Sequence, residues 1–304
     1  MRQASRRIDS SRTGRVVATL GRRVMVRDAD GDRACFLSGH RAVIGDQVRW
    51  EEARGEGGKI CDVLPRERTL TRQEMDGREH VLASNLGGLL IVAATMQPPY
   101  RPGLIDRYWI AGSSSGLEVG LVITKGDLGV TDEIEADLAW RAEHGLQVIR
   151  CTPTDGEGVD DVREFLREHG EVGPWALVGH SGVGKTRLMQ TLLPDIDVGP
   201  IGEISEFWEQ GKHTTTGSRI FEVEPGVELA DSPGIRTFLP GGLDPKLARD
   251  HFPGMGPLPC KYRDCLHRPG EAGCVAEAQI APDVLTRYRR LLDEVVGLTE
   301  RMRP

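Results

Sequence analysis

Eight residues, Gly179-His180-Ser181-Gly182-Val183-Gly184-Lys185-Thr186, lie between the apolar run Trp175–Val178 and the helically spaced pairs Leu188-Met189 and Leu192-Leu193. Strand, glycine-rich loop and helix in that order commit the middle of the chain to an α/β architecture. The glycines let backbone N–H groups wrap phosphate oxygens, and the helix N-terminus adds favourable electrostatics. In such a loop Lys185 reaches the β- and γ-phosphates and Thr186 sets its hydroxyl on Mg2+. A chain with 38 glycines offers chance matches. A loop framed on both sides by the right elements is a far rarer coincidence.

Further segments extend this site in an unusual order. Thr124-Lys125-Gly126-Asp127, a variant of the guanine-reading NKxD, precedes the phosphate loop, whereas Thr214-Thr215-Thr216 and the DxxG segment Asp231-Ser232-Pro233-Gly234 follow it. Placed after a strand-like run, Asp127 can accept two hydrogen bonds from guanine N1–H and N2–H2, a pattern adenine does not offer. Lys125 can lay its apolar stem along the ring. Thr124 stands where Asn is usual, and a hydroxyl does not reproduce an amide's bridging contacts, so weakened base affinity is expected. Cys151-Thr152-Pro153 takes the place of a fifth loop, whose backbone would read guanine O6.

In an ordinary GTPase the phosphate loop comes first and the base reader fourth; here the base-reading half has moved in front. The DxxG loop, which moves when γ-phosphate is lost, therefore leads straight into the C-terminal part of the chain. This order predicts a switch wired to a C-terminal module. It also predicts that both accessory units attach to one region of the nucleotide domain, because a permutation joins the old termini and opens a loop elsewhere. Asp231 is expected one ligand layer away from Mg2+, and Gly234 is expected to offer its N–H to the γ-phosphate. Ile235 occupies the place where many GTPases carry the Gln that orients the attacking water, so a low intrinsic rate is expected. His213 is the nearest replacement, although a lone loop histidine is more often a plain surface residue.

Cys260, Cys265, His267 and Cys274 form a Cys3His set within fifteen residues. Three thiolates and one imidazole satisfy tetrahedral zinc and leave no open position, which points to a structural ion. Half of the six cysteines fall in this stretch, among Pro257, Pro259 and Pro269-Gly270, a loop composition. Cys35, Cys61 and Cys151 read as ordinary small hydrophobes.

A length of 304 residues suits two or three units. The longest apolar stretch, residues 86–96, reads as a buried strand, shorter than a membrane span, and the arginine-bearing N-terminus lacks an apolar signal core. A cytoplasmic protein is expected. The net charge of −7 is unevenly spread: residues 1–27 hold Arg2, Arg6, Arg7, Arg12, Arg15, Arg22, Arg23 and Arg27 against Asp9 alone. Such a leader suits phosphate backbones, though residues 1–12 also fit a solvated tail.

Between residues 13 and 72 five short strand-like runs alternate with Gly- and Asp-rich turns, the pattern of a small OB-type β-barrel, a fold that often binds RNA. Phe36 and Trp50 are its few stacking candidates, so basic contacts outweigh stacking. Pro65 to Arg72 reads as a linker, Leu89-Leu90-Ile91-Val92-Ala93 opens the α/β pattern, and residues 104–110 begin its first helix. Residues 247–252 and 284–296 read as helices around the cysteine loop. The predicted division is a leader and barrel over 1–72, a circularly permuted α/β P-loop domain over 73–240 and a helical zinc-binding domain over 241–304.

Together these residues resemble the RsgA family of bacterial GTPases that depend on the small ribosomal subunit. The likeness runs over nearly the whole chain. It includes Gly45-Asp46-Gln47-Val48, Ala83-Ser84-Asn85-Leu86, Leu104-Ile105-Asp106-Arg107-Tyr108, His213-Thr214-Thr215-Thr216, Asp231-Ser232-Pro233-Gly234-Ile235-Arg236, the phosphate loop and the cysteine cluster. The resemblance implies GTP hydrolysis stimulated by the small subunit, a role in its late maturation and rRNA binding, in a monomer with GTP, Mg2+ and one zinc. It implies His213 as catalytic group and Thr215 as the magnesium ligand beside Thr186. Departures are Thr124, the acidic and aromatic Glu206-Phe207-Trp208-Glu209-Gln210 in place of a more basic stretch, and Leu86-Gly87 where an Asp is usual. A GTP-dependent RNA-binding regulator or chaperone unconnected to ribosomes is the alternative; a kinase sharing only the phosphate loop is opposed by the TKxD and DxxG pair.

Overall fold

The computed structural model describes residues 11–53, 57–73, 79–194, 217–236, 238, 243–255 and 257–301. Strands β1 (Arg12–Leu20), β2 (Arg23–Asp28), β3 (Gly31–Phe36), β4 (Gln47–Glu52) and β5 (Gly58–Val63) close in the order β1-β2-β3-β5-β4-β1. Alternate residues Val16, Val24, Val26, Val48, Trp50 and Ile60 point inward with Cys35 and fill the barrel. The early half of β1 pairs with β4 and its register shifts between Val16 and Ala18. Such a bulge bends a strand, and the far end of β1 parts from β4 while staying paired with β2.

A hairpin of β6 (Thr69–Gln73) and β7 (Glu79–Ser84) follows. The predicted linker thus ends inside a strand: Leu70 and Leu82 are buried partners of the main core, and their burial draws the segment into a sheet. Next come β8 (Gly88–Ala94), α1 (Pro102–Ser114), β9 (Glu118–Thr124), α2 (Asp132–Glu143), β10 (Gln147–Arg150), α3 (Val159–His169), β11 (Trp175–Val178), α4 (Lys185–Leu192), β12 (Ser218–Glu224) and β13 (Val227–Asp231). Their sheet order is β10-β9-β8-β11-β13-β12, with all neighbours parallel except β12 and β13. β8 is buried throughout; Leu89, Ile91 and Ala93 face one core, and Leu90, Val92 and Ala94 face the other. A strand buried on both faces is what a three-layer α/β/α sandwich demands.

The short α5 (Pro233–Arg236) follows β13, and α6 (Pro245–His251), α7 (Ala276–Gln279) and α8 (Pro282–Arg301) complete the chain. Phe252, Met255, Leu285, Tyr288, Leu292 and Val295 join the same hydrophobic cluster as Ile105, Trp109, Leu138 and Trp140 of α1 and α2. The C-terminal helices therefore share a core with the α/β domain rather than hanging from it. Among the described residues no helix is long and apolar enough to cross a membrane.

The barrel joins elsewhere. Ala18 and Thr19 of β1 pair with Arg219 and Ser218 of β12, which continues the α/β sheet into the barrel as eleven strands. Arg15 pairs with Glu228 across this seam. The expectation that both accessory units share one region does not hold. The open edge of β12 takes the barrel, because unpaired backbone groups demand a strand, and the apolar faces of α1 and α2 take the C-terminal helices.

Candidate nucleotide site and metal centre

Because β9, β10, β11 and β13 run parallel, the loops that leave their C-terminal ends emerge on one edge of the sheet, where open α/β sheets bind ligands. Those loops are Thr124-Lys125-Gly126-Asp127, Cys151-Thr152-Pro153, the phosphate loop and Asp231-Ser232-Pro233-Gly234. Segments far apart in the chain are thereby brought to one place.

Gly179 opens the phosphate loop at φ 147°, and a Cβ there would sit 2.2 Å from the Val92 carbonyl oxygen. Only glycine fits so close to β8. Gly184 caps α4 in the left-handed region, and Lys185 and Thr186 begin the helix. Lys185 Nζ donates to the Gly179 and His180 carbonyls at 2.7 and 2.9 Å, so its ammonium lies over its own loop. His180 Nδ1 lies 2.8 Å from the Ser181 carbonyl oxygen; Ser181 and Gly182 are exposed, and Val183 is buried.

Thr124 is fully buried. Its hydroxyl has one proton and lies 2.7 Å from the Val183 carbonyl and 3.2 Å from that of Ala93, so the phosphate loop receives the stronger bond. Lys125, at φ 59°, donates from Nζ to Gly182 O at 2.9 Å and also to Gln97 O. Two successive residues of the base-reading segment thus grip the phosphate loop. Asp127 is exposed on the single 3-10 turn Gly126–Leu128. Thr95, at the end of β8, sets this loop: its hydroxyl donates to Lys125 O at 2.7 Å and its N–H to Thr124 O at 3.1 Å.

Cys151 buries its thiol in the core, where burial pushes it up to about 11, which leaves any role at the site to its main chain. Thr152 is buried too, and its N–H donates to Glu157 O at 2.8 Å. Asp231 ends β13 nearly buried, and Ser232 Oγ caps α5 by accepting from Ile235 N at 3.0 Å. His213 and Thr214-Thr215-Thr216 lie outside the described residues.

Cys260, Cys265, His267 and Cys274 come together as read from their spacing, with ligand atoms within 4.8 Å of one another. His267 Nδ1 lies 3.4, 3.5 and 3.6 Å from the three sulfurs. Zn–S near 2.3 Å and Zn–N near 2.05 Å at a tetrahedral angle require an edge of about 3.6 Å. The donor set fits zinc in number, type and spacing. His267 is held at φ 57°, an uncommon conformation away from glycine. Its carbonyl accepts from Arg289 at 2.9 Å, and Tyr288 donates to Leu266 O at 2.8 Å, so α8 braces the loop. Burial pushes the Cys265 thiol up, so a thiolate there calls for a cation.

The family model described as RsgA GTPase matches residues 63–239. The chain belongs to the RsgA GTPase family. It is 35% identical over 297 residues to the small ribosomal subunit biogenesis GTPase RsgA of Azotobacter vinelandii, covering 92% of this chain and 84% of that protein. The protein of that name from Chromohalobacter salexigens is 34% identical over 306 residues, with 95% and 87% covered. YjeQ from Thermotoga maritima superposes with a TM-score of 0.72 at 22% identity, over 94% of this chain and 99% of that one. YloQ, described as a circularly permuted GTPase, gives 0.67 at 19% identity over 100% and 99%. These two likenesses bear on the fold. Membership in the RsgA family makes the chain a GTP hydrolase by descent.

Three segments that carried the family resemblance gain roles that sequence reasoning had not assigned. Asp46, fully buried, accepts from Arg66 at 2.7 and 2.8 Å, from Ser84 Oγ at 2.6 Å and from Val43 N at 2.9 Å. Asn85 Nδ2 donates to Gly45 O at 2.9 Å, and a Cβ on Gly45 would lie 1.8 Å from Ser84 O. Gly45-Asp46 and Ser84-Asn85 therefore form one clasp between barrel and hairpin. Asp106 of α1 accepts from Arg141 at 2.6 Å, and Arg141, fully buried, also donates to Asp137 at 2.8 Å. Burial pulls the Arg141 guanidinium down, but Asp106, Tyr100 and Asp137 more than offset it and its pKa is raised. That resemblance was the one available signal for Asp46 and Asp106; Arg141 had none.

Proposed function

We propose that this RsgA-family chain hydrolyses GTP to GDP and phosphate when engaged with the small ribosomal subunit, late in that subunit's maturation. The observation that carries this is the convergence of the base-reading, phosphate and DxxG loops on one sheet edge, with Thr124 and Lys125 fastened to the phosphate loop. The printed names of its relatives as small ribosomal subunit biogenesis GTPases support the choice of partner. The division into 1–72, 73–240 and 241–304 stays as our working scheme.

Within it, Asp127 reads guanine, Lys125 flanks the base and the main chain near Cys151 and Thr152 closes its far side. Thr124 acts through Val183. Gly179 to Lys185 bind the phosphates, and Thr186 and Thr215 hold Mg2+, which neutralises phosphate charge when bound. Asp231 and Gly234 register the γ-phosphate, and His213 aligns the attacking water. Cys260, Cys265, His267 and Cys274 hold a structural zinc. The arginine-rich leader and barrel contact rRNA by charge, and the protein works as a cytoplasmic monomer.

GTP turnover with and without purified small subunits tests the reading. A rate raised at least tenfold by small subunits is expected. Identical rates, or no co-sedimentation with the subunit, would favour a GTP-dependent RNA regulator.

A further inference from the structure

Tyr108 lies on α1, outside every recognised nucleotide motif, yet it lies beside one of them and is bonded to the segment that follows another. Its side chain is 1% exposed. Its hydroxyl donates to the Phe238 main-chain carbonyl at 2.6 Å, and the two rings lie 5.9 Å apart, tilted at 52°. The same side chain lines a small pocket together with Gly179, His180 and Val183 of the phosphate loop. Gly179 opens the phosphate loop. Phe238 lies four residues past Gly234, and its own N–H donates to Ile235 O at 3.1 Å, closing the turn that begins at Asp231.

The Tyr108 side chain thus lies beside the phosphate loop while its hydroxyl donates to the segment behind the DxxG loop. Both neighbours are rigidly placed: Gly179 is wedged against Val92, and Phe238 is buried. Burial pushes the phenol up to about 12, against the pull of the Gly179 N–H and Arg107, so the hydroxyl keeps its proton and remains a donor at any working pH.

The helix carrying Tyr108 is itself braced. Asp106, two residues earlier, takes Arg141 of α2; Asp137 of α2 takes Arg287 of α8, whose guanidinium lies 4.1 Å from the Trp140 ring centre. Trp140 Nε1 also donates to Asp283 at 2.8 Å. A rigid mount is what lets a single side chain set the distance between two loops.

We propose that Tyr108 is a positioning residue: from α1, seated on α8, its side chain backs the phosphate loop while its hydroxyl anchors the segment after Gly234, and so ties the γ-phosphate response to the seat of the C-terminal module. This rests on the GTPase reading, but the two fail differently. Wild-type turnover tests that reading, whereas only variant-to-wild-type ratios bear on Tyr108.

The test uses the full-length zinc-bound protein with Tyr108→Phe, which removes one oxygen and keeps the ring. Loss of one buried hydrogen bond made at its best only in the active arrangement lowers kcat roughly 5- to 10-fold. KM and GDP affinity are expected to stay within about twofold of wild type, with the preference for a non-hydrolysable GTP analogue over GDP reduced. Unchanged kcat and preference overturn the proposal, and so does an equal loss in kcat, nucleotide affinity and thermal midpoint, which would mark a purely structural bond. Arg287→Gln, checked for zinc content, is the second variant. It is expected to lower kcat in the same direction, and the double variant to lose less than the product of the two losses. Full multiplicativity overturns the bracing through α8.

Discussion

The Thr124 hydroxyl donates to the Val183 carbonyl at 2.7 Å, so one side chain of the base-reading segment holds the phosphate loop by a buried bond. Thr at this position therefore links the two loops while leaving little of the side chain for the base. Thr124→Val preserves shape and leaves the Val183 carbonyl unpaired, a penalty of about 1–3 kcal/mol. GTP and GDP affinity are expected to fall together, roughly tenfold, as read by titration with fluorescent nucleotides. Loss of one nucleotide alone would place Thr124 at the γ-phosphate instead.

Asp127 is exposed at the tip of its turn, free of the burial that fixes Thr124. On the proposed reading, Asp127→Ala removes two charge-assisted hydrogen bonds to guanine, about 3 kcal/mol or more together. Competition of GTP against ATP is expected to lose at least about a hundredfold of its discrimination. Unchanged discrimination would remove Asp127 from the base site.

Metal analysis is expected to find one zinc per chain at Cys260, Cys265, His267 and Cys274. Chelation or Cys265→Ala frees the loop that α8 braces. Because Leu285, Tyr288 and Leu292 share a core with α1 and α2, the thermal midpoint of the whole protein is expected to fall, not that of a detached module alone. Two separate transitions with an unmoved nucleotide-domain midpoint would contradict the shared core.

Asp46→Ala leaves Arg66, Ser84 and the Val43 N–H without their common acceptor. Arg66 is partly open to water, so the expected cost is about 2–4 kcal/mol rather than that of a fully buried pair. Urea unfolding measures it; a change below about 0.5 kcal/mol would mean that the β1–β12 seam alone secures the barrel.

Small-subunit affinity is expected to be higher with a non-hydrolysable GTP analogue than with GDP, and His213→Ala to retain that difference while turning over slowly. Equal affinity in both states would sink the switch; lost analogue-dependent binding would move His213 from chemistry to docking.

Local pattern made much of this legible. The run Trp175–Val178 is a strand residue for residue, and the five barrel strands lie where the short apolar runs put them. The cysteine cluster needs one loop, so spacing alone located it. What stayed hidden depends on partners far along the chain. Thr124 and Val183 are 59 residues apart, and Arg15 and Glu228 are 213 apart. α2 was hard to see for another reason: its buried face includes Asp137 and Arg141, polar residues where a helical period asks for apolar ones. The β6–β7 hairpin was masked by Pro65 and by a register shift between Leu70 and Thr71 that breaks strict alternation.

The seam between β1 and β12 joins residues on opposite sides of the chain's synthesis. Ser218 N donates to Thr19 Oγ1 across 199 positions. At about 5–20 residues per second, a ribosome building this protein delivers β12 roughly ten to forty seconds after β1. For that interval the far end of β1 is an open strand edge, the kind of surface that recruits stray partners. Arg15, near that edge, gains its partner Glu228 only once β13 has followed β12.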